Sequence, residues 1–486
     1  MLFRSIAPFI LIPSISVSLN AEPTATAGDV IKEATSAFQQ GRFDKGLEIV
    51  KPLVEKGDGE ALYLMGFAHE TGKGVTASAE KALDFYKKSA EKNNKDALYR
   101  MAFILLASEK KEDREQARVA LEGATKEDPT VAARILGEAY LRGRLTAEAD
   151  PEKAISWWQK AADAGDIPSL ILIARYYEGQ FGFPEKQNIK AALENYTKAA
   201  EKGDTGAMVS LASRLLRADE KSRDEAKGRE WAKKAIEAKE YSGYLVLGDF
   251  EENVKKDPKA ALAEYERGKD VGQIDCVLRA AEFYIQGNGT EKDSTRGLAL
   301  LEKAAESGNP NANFRLALQA MTQEKPDLLV GYKHLLAAAN GNLLEAQNEL
   351  GLLYLSGKLA GVDPAAGTAW LGRAAQSGYP QSQNNLAALY ERGSAGLPQN
   401  LEEAGQLYTL AASQGNGPAT LALSRLFNEG IGVKADPVRA LAFAMLAGER
   451  GEKESQKLAD EISSKLDDSQ KAEAKKQLET IKTGKK

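Results

Sequence analysis

From Asp29 to Gly451, small, apolar and polar residues return in the same order about every 36 residues. A small residue recurs at Thr35, Gly66, Ala102 and Gly137, and the series runs on to Gly351, Ala387 and Ser424. We call this position the slot. Five residues before it stands another small residue, as at Ala61, Ala97, Ala132 and Ser169. Three residues after it there is usually an aromatic, as at Tyr140, Tyr177 and Tyr354. Each period then carries a second series of small residues, among them Gly46, Ala82, Ala154, Gly228 and Ala404, followed within a turn by Tyr86, Trp157, Trp158, Trp231 or Tyr408. Small residues about two turns apart make a flat stripe on which another helix can lie close, and the aromatics fill the space between layers. The pattern predicts two helices per repeat and no strands.

Punctuation supports that reading. Asp150-Pro151, Asp257-Pro258, Asp363-Pro364 and Asp436-Pro437 each place a capping carboxylate before a proline that suits a first helical turn. Gly165, Gly203, Gly308, Gly341, Gly378, Gly415 and Gly451 fall just past the second helix, where a left-handed cap is expected. These residues together resemble the Sel-one-like repeat family, a relative of the tetratricopeptide repeat. Ala132 to Gly165 carries the resemblance best, through Leu136, Gly137, Tyr140, Gly143, Ala154, Trp157, Trp158 and Gly165. Gly430-Ile431-Gly432-Val433 and Asp436 repeat it later. The resemblance implies an all-α, α/α superhelical solenoid of about twelve helix-turn-helix repeats, right-handed, that binds proteins. The glycine loop between helices is missing near 107–112, 217–224, 252–256 and 322–325, so a change of curvature is expected across 205–272.

The ends read differently. Arg4 followed by the apolar run Ile6 to Val17 reads as an export signal, too short and too proline-broken to span a bilayer. The expected organisation is a signal peptide over 1–21, a flexible linker over 22–29, the solenoid over 30–451, and a C-terminal capping helix and tail over 452–486. Cleavage is expected after Ala21 or Ala27. The expected location is therefore the periplasm or the medium, or the endoplasmic reticulum lumen in a eukaryote.

Charge and composition narrow the chemistry. With 65 basic against 70 acidic residues and a net charge of −5, nothing favours nucleic acid as the main partner. One cysteine allows no internal disulfide, and two histidines allow no His-rich metal site. Cys276 occupies a small position, His69 an aromatic one and His334 a tryptophan one, so packing accounts for each. No phosphate loop or nucleophile elbow occurs, so neither a cofactor nor a catalytic site is expected.

What remains is surface. By analogy with tetratricopeptide grooves, residues three before and one after the slot should line an inner face made by the first helices. That selects Tyr63, Phe67, Tyr99, Phe103, Arg134 and Arg175 for contact with a protein or peptide partner. Glu138, Phe314, Asn348, Asn384 and Arg425 extend the series, and Phe181 and Phe183 form a second, loop-borne candidate. The expected function is a non-catalytic interaction scaffold. The alternative is a cell-wall glycan binder or hydrolase on the same superhelix, which a buried acid in a groove would favour.

Overall fold

The computed structural model describes residues 26–358 and 363–483, so the leader expected over 1–21 and the start of the linker lie outside the described residues. Among the described residues the regular structure is helical throughout. The chain divides into two compact units at Arg214 and Leu215. The first unit contains the hairpins α1 (Ala27–Gln39) with α2 (Phe43–Glu55), α3 (Gly59–Thr71) with α4 (Ala79–Ala90), and α5 (Lys95–Ala107) with α6 (Lys111–Ala124). It continues with α7 (Pro129–Leu141) and α8 (Pro151–Asp163), then α9 (Ile167–Tyr177) and α10 (Ile189–Glu201). The boundary falls within α11 (Thr205–Arg217).

The second unit runs from α12 (Glu225–Glu237) through α13 (Ser242–Phe250) with α14 (Pro258–Asp270), α15 (Ile274–Gln286) with α16 (Ser294–Glu306), and α17 (Pro310–Thr322) with α18 (Leu328–Asn340). It closes with α19 (Leu344–Leu355) and α20 (Pro364–Gln376), α21 (Pro380–Arg392) and α22 (Leu401–Ser413), and α23 (Gly417–Glu429) and α24 (Pro437–Glu449). Two more helices, α25 (Ser455–Ser463) and α26 (Asp468–Thr483), follow. The architecture is an α/α solenoid of about twelve hairpins, as the periodicity requires.

The slots explain why the helices pair. A methyl group added at Gly66 would stand 2.6 Å from the Tyr86 ring, and one at Gly137 would stand 2.4 Å from Trp158. At Gly248 the corresponding contact, with Tyr265, is 2.3 Å. At these three positions the aromatic of the second helix therefore lies directly on the backbone of the first, which glycine alone permits. All four Asp-Pro pairs cap as expected, with the carboxylates accepting from the backbone N–H of Lys153, Ala260, Ala365 and Arg439.

Details differ from expectation in four places. The first helix begins at Ala27, inside the segment read as linker, because Thr26 and Asp29 cap one another reciprocally. The C-terminal segment is two helices, α25 and α26, rather than one. Gly341 has φ −75, and the left-handed residue is Asn342 at φ 61. Asparagine tolerates that region, while Gly341 is needed for clearance: a Cβ there would stand 2.8 Å from Pro310. Finally, the missing loop after α13 is a π-helical turn, Glu251–Lys255, that continues the helix directly. Among the described residues no helix is long and apolar enough to cross a membrane.

Candidate functional site

In the first unit the predicted residues occupy the first helices α3, α5, α7 and α9, but their two registers do different work. The residues three before the slot join one repeat to the next. Tyr63 meets the Arg100 guanidinium of the following repeat, and its ring lies 5.8 Å from that of Tyr86. Tyr99 is half-buried against the core, and its hydroxyl has no hydrogen-bond partner among the described residues. Burial first, then the Asp128 carboxylate, pushes its phenol pKa up. Arg134 donates from Nε to Asp166 at 3.1 Å. In the second unit Phe314 packs into the core and Asn348 is buried, accepting from Ser382 at 2.9 Å and from Asn385 at 3.0 Å. Half of the predicted residues thus also make contacts between successive repeats.

Among the residues one after the slot, four are open and the others half-buried. Phe103 is 53% exposed on α5. Leu318 and Leu352, at the same register on α17 and α19, are 40% and 37% exposed. Phe67 is half-buried, with Lys73 Nζ 5.4 Å and the Arg100 guanidinium 5.8 Å from its ring centre. Arg175 is exposed, donates to Gln180 at 2.8 Å and lies 5.8 Å from the Phe181 ring. Phe181 and Phe183 serve as anchors for their own loop, against Trp158 and Tyr176 respectively.

A polar network that the sequence reading did not isolate recurs beside this face. Tyr86 donates to Glu70 at 2.5 Å, and Arg100 from the next repeat bonds the same carboxylate at 3.2 Å. Tyr196 and Arg214 hold Glu178 at 3.0 and 2.7 Å. In the second unit Tyr265 with Arg279 holds Glu252, and Tyr408 with Arg425 holds Glu391. The signal was legible: the tyrosine stands four after the small residue of the second helix, and the glutamate four after the slot. Where the first of these positions is Leu or Trp, as at Leu121, Trp158, Leu301, Leu335 and Leu371, the second is apolar too, at Leu106, Leu141, Ile285, Met321 and Leu355. The arginine has no fixed offset, so only folding reveals it.

These networks link stability to pH in the first unit. Burial pushes the Tyr196 phenol from 10.0 up to about 12, with Arg214 opposing and Glu178 reinforcing the shift. A raised phenol pKa contributes stability below pH 10 that is lost as pH climbs toward 12. Burial alone would raise Glu178, but the bonds from Arg214 and Tyr196 outweigh it and hold the carboxyl below 4.5, so its contribution is lost as pH falls below that value. We expect native protein at about pH 11 to show less phenolate absorbance than urea-unfolded protein, with the gap shrinking in Tyr196→Phe. Equal absorbance in the two states would refute the assignment.

Other chemistry is accounted for. Cys276 is buried, and burial pushes its thiol up to about 12, which suits a filler rather than a nucleophile. His69 stacks on Phe85 at 5.5 Å and His334 bonds Asn313 at 2.9 Å. The buried carboxylates Asp166 and Glu251 are engaged by Arg134 and Arg229. No group of three or more His, Cys, Asp or Glu with metal-binding geometry occurs among the described residues.

Comparison with known proteins agrees with this geometry. The pattern described as Sel1 repeat matches residues 59–94, 130–166, 168–204, 206–239, 274–309, 344–379, 380–416 and 417–452. The intervening hairpins, α5–α6, α13–α14 and α17–α18, are three of those whose glycine loop is missing. The chain is 31% identical over 241 residues to chitin synthase regulatory factor 3 of Schizosaccharomyces pombe, covering 46% of this chain and 25% of that one. It is 24% identical over 265 residues to an uncharacterized protein of Neisseria meningitidis (54% and 53% covered). It is 28% identical over 274 residues to the rat DAP3-binding cell death enhancer 1 (55% and 51%). The chain thus spans between a quarter and about half the length of these relatives. A solved structure of a protective antigen from uropathogenic Escherichia coli, described as displaying an SLR fold, aligns over 90% of this chain and 94% of that one, with 22% identity and a TM-score of 0.46. With twelve-odd hairpins built on glycine and alanine slots and eight of them matched by the family's own pattern, this chain belongs to the Sel1 repeat family.

Proposed function

We propose that this protein is an exported, non-catalytic scaffold that binds a protein or peptide partner on the first-helix face of its hairpins. The observation that carries the reading is Phe103, a large aromatic more than half exposed on the first helix of its hairpin. Exposed aromatics are the side chains that most often anchor a partner, because they bury much area at little cost in rotamer entropy. Phe67 with Lys73, and Arg175 with no carboxylate bonded to it among the described residues, extend the face on either side. Relatives named for chitin synthase regulation and for DAP3 binding are consistent with action through a partner. Export rests on Arg4 and the apolar run Ile6 to Val17.

The test is capture from an envelope extract by protein beginning at Glu22, beside Phe103→Ser. Phe103 is the choice because Tyr99 belongs to the core, so its loss would unsettle the fold as well as the face. A discrete protein retained by the parent and reduced about tenfold or more with Phe103→Ser is expected, as for an anchor worth more than about 1 kcal/mol. Enrichment of glycan fragments alone, or equal capture by both, would overturn the proposal.

A further inference from the structure

The second unit holds a groove that the scaffold reading does not use. It lies between α23 and α25 and has a volume of about 550 Å³. Pro418, Leu421, Ala422 and Leu458 give it an apolar lining. On α23 these side chains stand six, three and two before the slot at Ser424, the face that carries Tyr63 and Phe67 on α3. The two helices differ in length, α25 having nine residues beside the thirteen of α23.

Its rim is predominantly acidic. Glu429, Glu452, Glu454 and Glu461 border the groove, and none has a cation within ion-pair distance among the described residues. Lys457 is the one unpaired cation among the lining residues, since Arg425 is already bound to Glu391. An apolar lining beneath carboxylates fits a side chain with an aliphatic stem and a cationic head, which can lie on leucine while its charge stays at the wet rim. A neutral or acidic segment would meet the same lining but an unfavourable rim.

We propose that this groove takes an apolar peptide segment bearing an arginine or lysine, with the stem on Leu421 and Leu458 and the charge among Glu454, Glu461 and Glu429. The site lies on the last hairpin, in the second unit, and shares no residue with the surface around Phe103. It rests on the scaffold reading only in that both require a peptide-like partner.

Fluorescence anisotropy of the full chain tests it, with a short fluorescein-labelled peptide of alternating leucine and arginine as probe and the same peptide with glutamate for arginine as control. The arginine peptide should bind and weaken with added salt, and the glutamate peptide should bind at least about tenfold more weakly. Glu429→Lys with Glu461→Lys, both at exposed positions near helix C-termini, should cost the arginine peptide about tenfold or more in affinity, with thermal unfolding unchanged. Leu458→Ser should weaken it as well, which separates groove binding from diffuse attraction to an acidic surface. No binding of the arginine peptide, equal binding of both peptides, or unchanged affinity in the charge-reversed variant would each overturn the proposal. Phe103→Ser should leave peptide affinity unchanged, so failure here with Phe103-dependent capture intact would remove this inference and keep the scaffold.

Discussion

Trp158→Ala should destabilise the first unit by about 3–5 kcal/mol, the range for deleting a fully buried tryptophan. Trp158 is completely buried, donates from its indole N–H to the Arg134 carbonyl at 3.2 Å, and has Phe181 5.9 Å away. Its ring fills the space left by the absent side chain of Gly137, so truncation opens a cavity at the closest approach of α7 and α8. Alanine cannot refill it, because the backbones on either side are held by the neighbouring hairpins. In a repeat array each hairpin touches mainly its neighbours, so the damage should be local. Native-state hydrogen exchange is the suitable readout: amides of α7, α8 and α9 should lose about a hundred- to several-thousandfold in protection, those of α19 to α24 very little. Uniform loss along the chain, or none, would refute this account of the packing.

Glu178→Leu is the second large effect, expected at about 2–3 kcal/mol. The substitution leaves the Arg214 guanidinium and the Tyr196 hydroxyl without their shared acceptor, in a place where water replaces it only in part. The figure sits below that for a fully buried pair because the Arg214 side chain is 31% exposed. Combining Glu178→Leu with Tyr196→Phe and Arg214→Leu should recover stability to within about 1 kcal/mol of the parent. The chain carries its own precedent, since Leu106 with Leu121 and Leu355 with Leu371 occupy the same two positions in other hairpins. Urea denaturation of the three proteins checks it, and a triple variant no more stable than the single would contradict it.

How much of this was legible in the sequence follows from what each feature depends on. Helix pairing was legible because Gly66, Gly137 and Gly248 must each face an aromatic one helix on, and that demand repeats with the period. The caps were legible because Asp150 or Asp436 acts within its own first turn. Gly341 misled by one residue, because clearance against Pro310 and the left-handed turn at Asn342 are separate demands that other repeats meet at different positions.

The site was legible only by register. Tyr99 and Phe103 lie one turn apart on α5, yet one is packed and the other open. Which is which depends on how the following hairpin leans over α5, and that is a property of tertiary packing. The same dependence hid the arginines of the Tyr–Glu–Arg networks. Arg100, Arg214 and Arg425 sit at three different offsets from their slots and reach one carboxylate position through long, flexible stems.

The central claim is that a partner docks on the first-helix face that carries Phe103. The most direct test places a photo-crosslinking phenylalanine analogue at residue 103, and in a second protein at residue 119, which is 57% exposed on the second helix of the same hairpin. Irradiation during capture should give a discrete protein adduct from position 103 and none from position 119. The same adducts from both positions, or none from either, would contradict the claim.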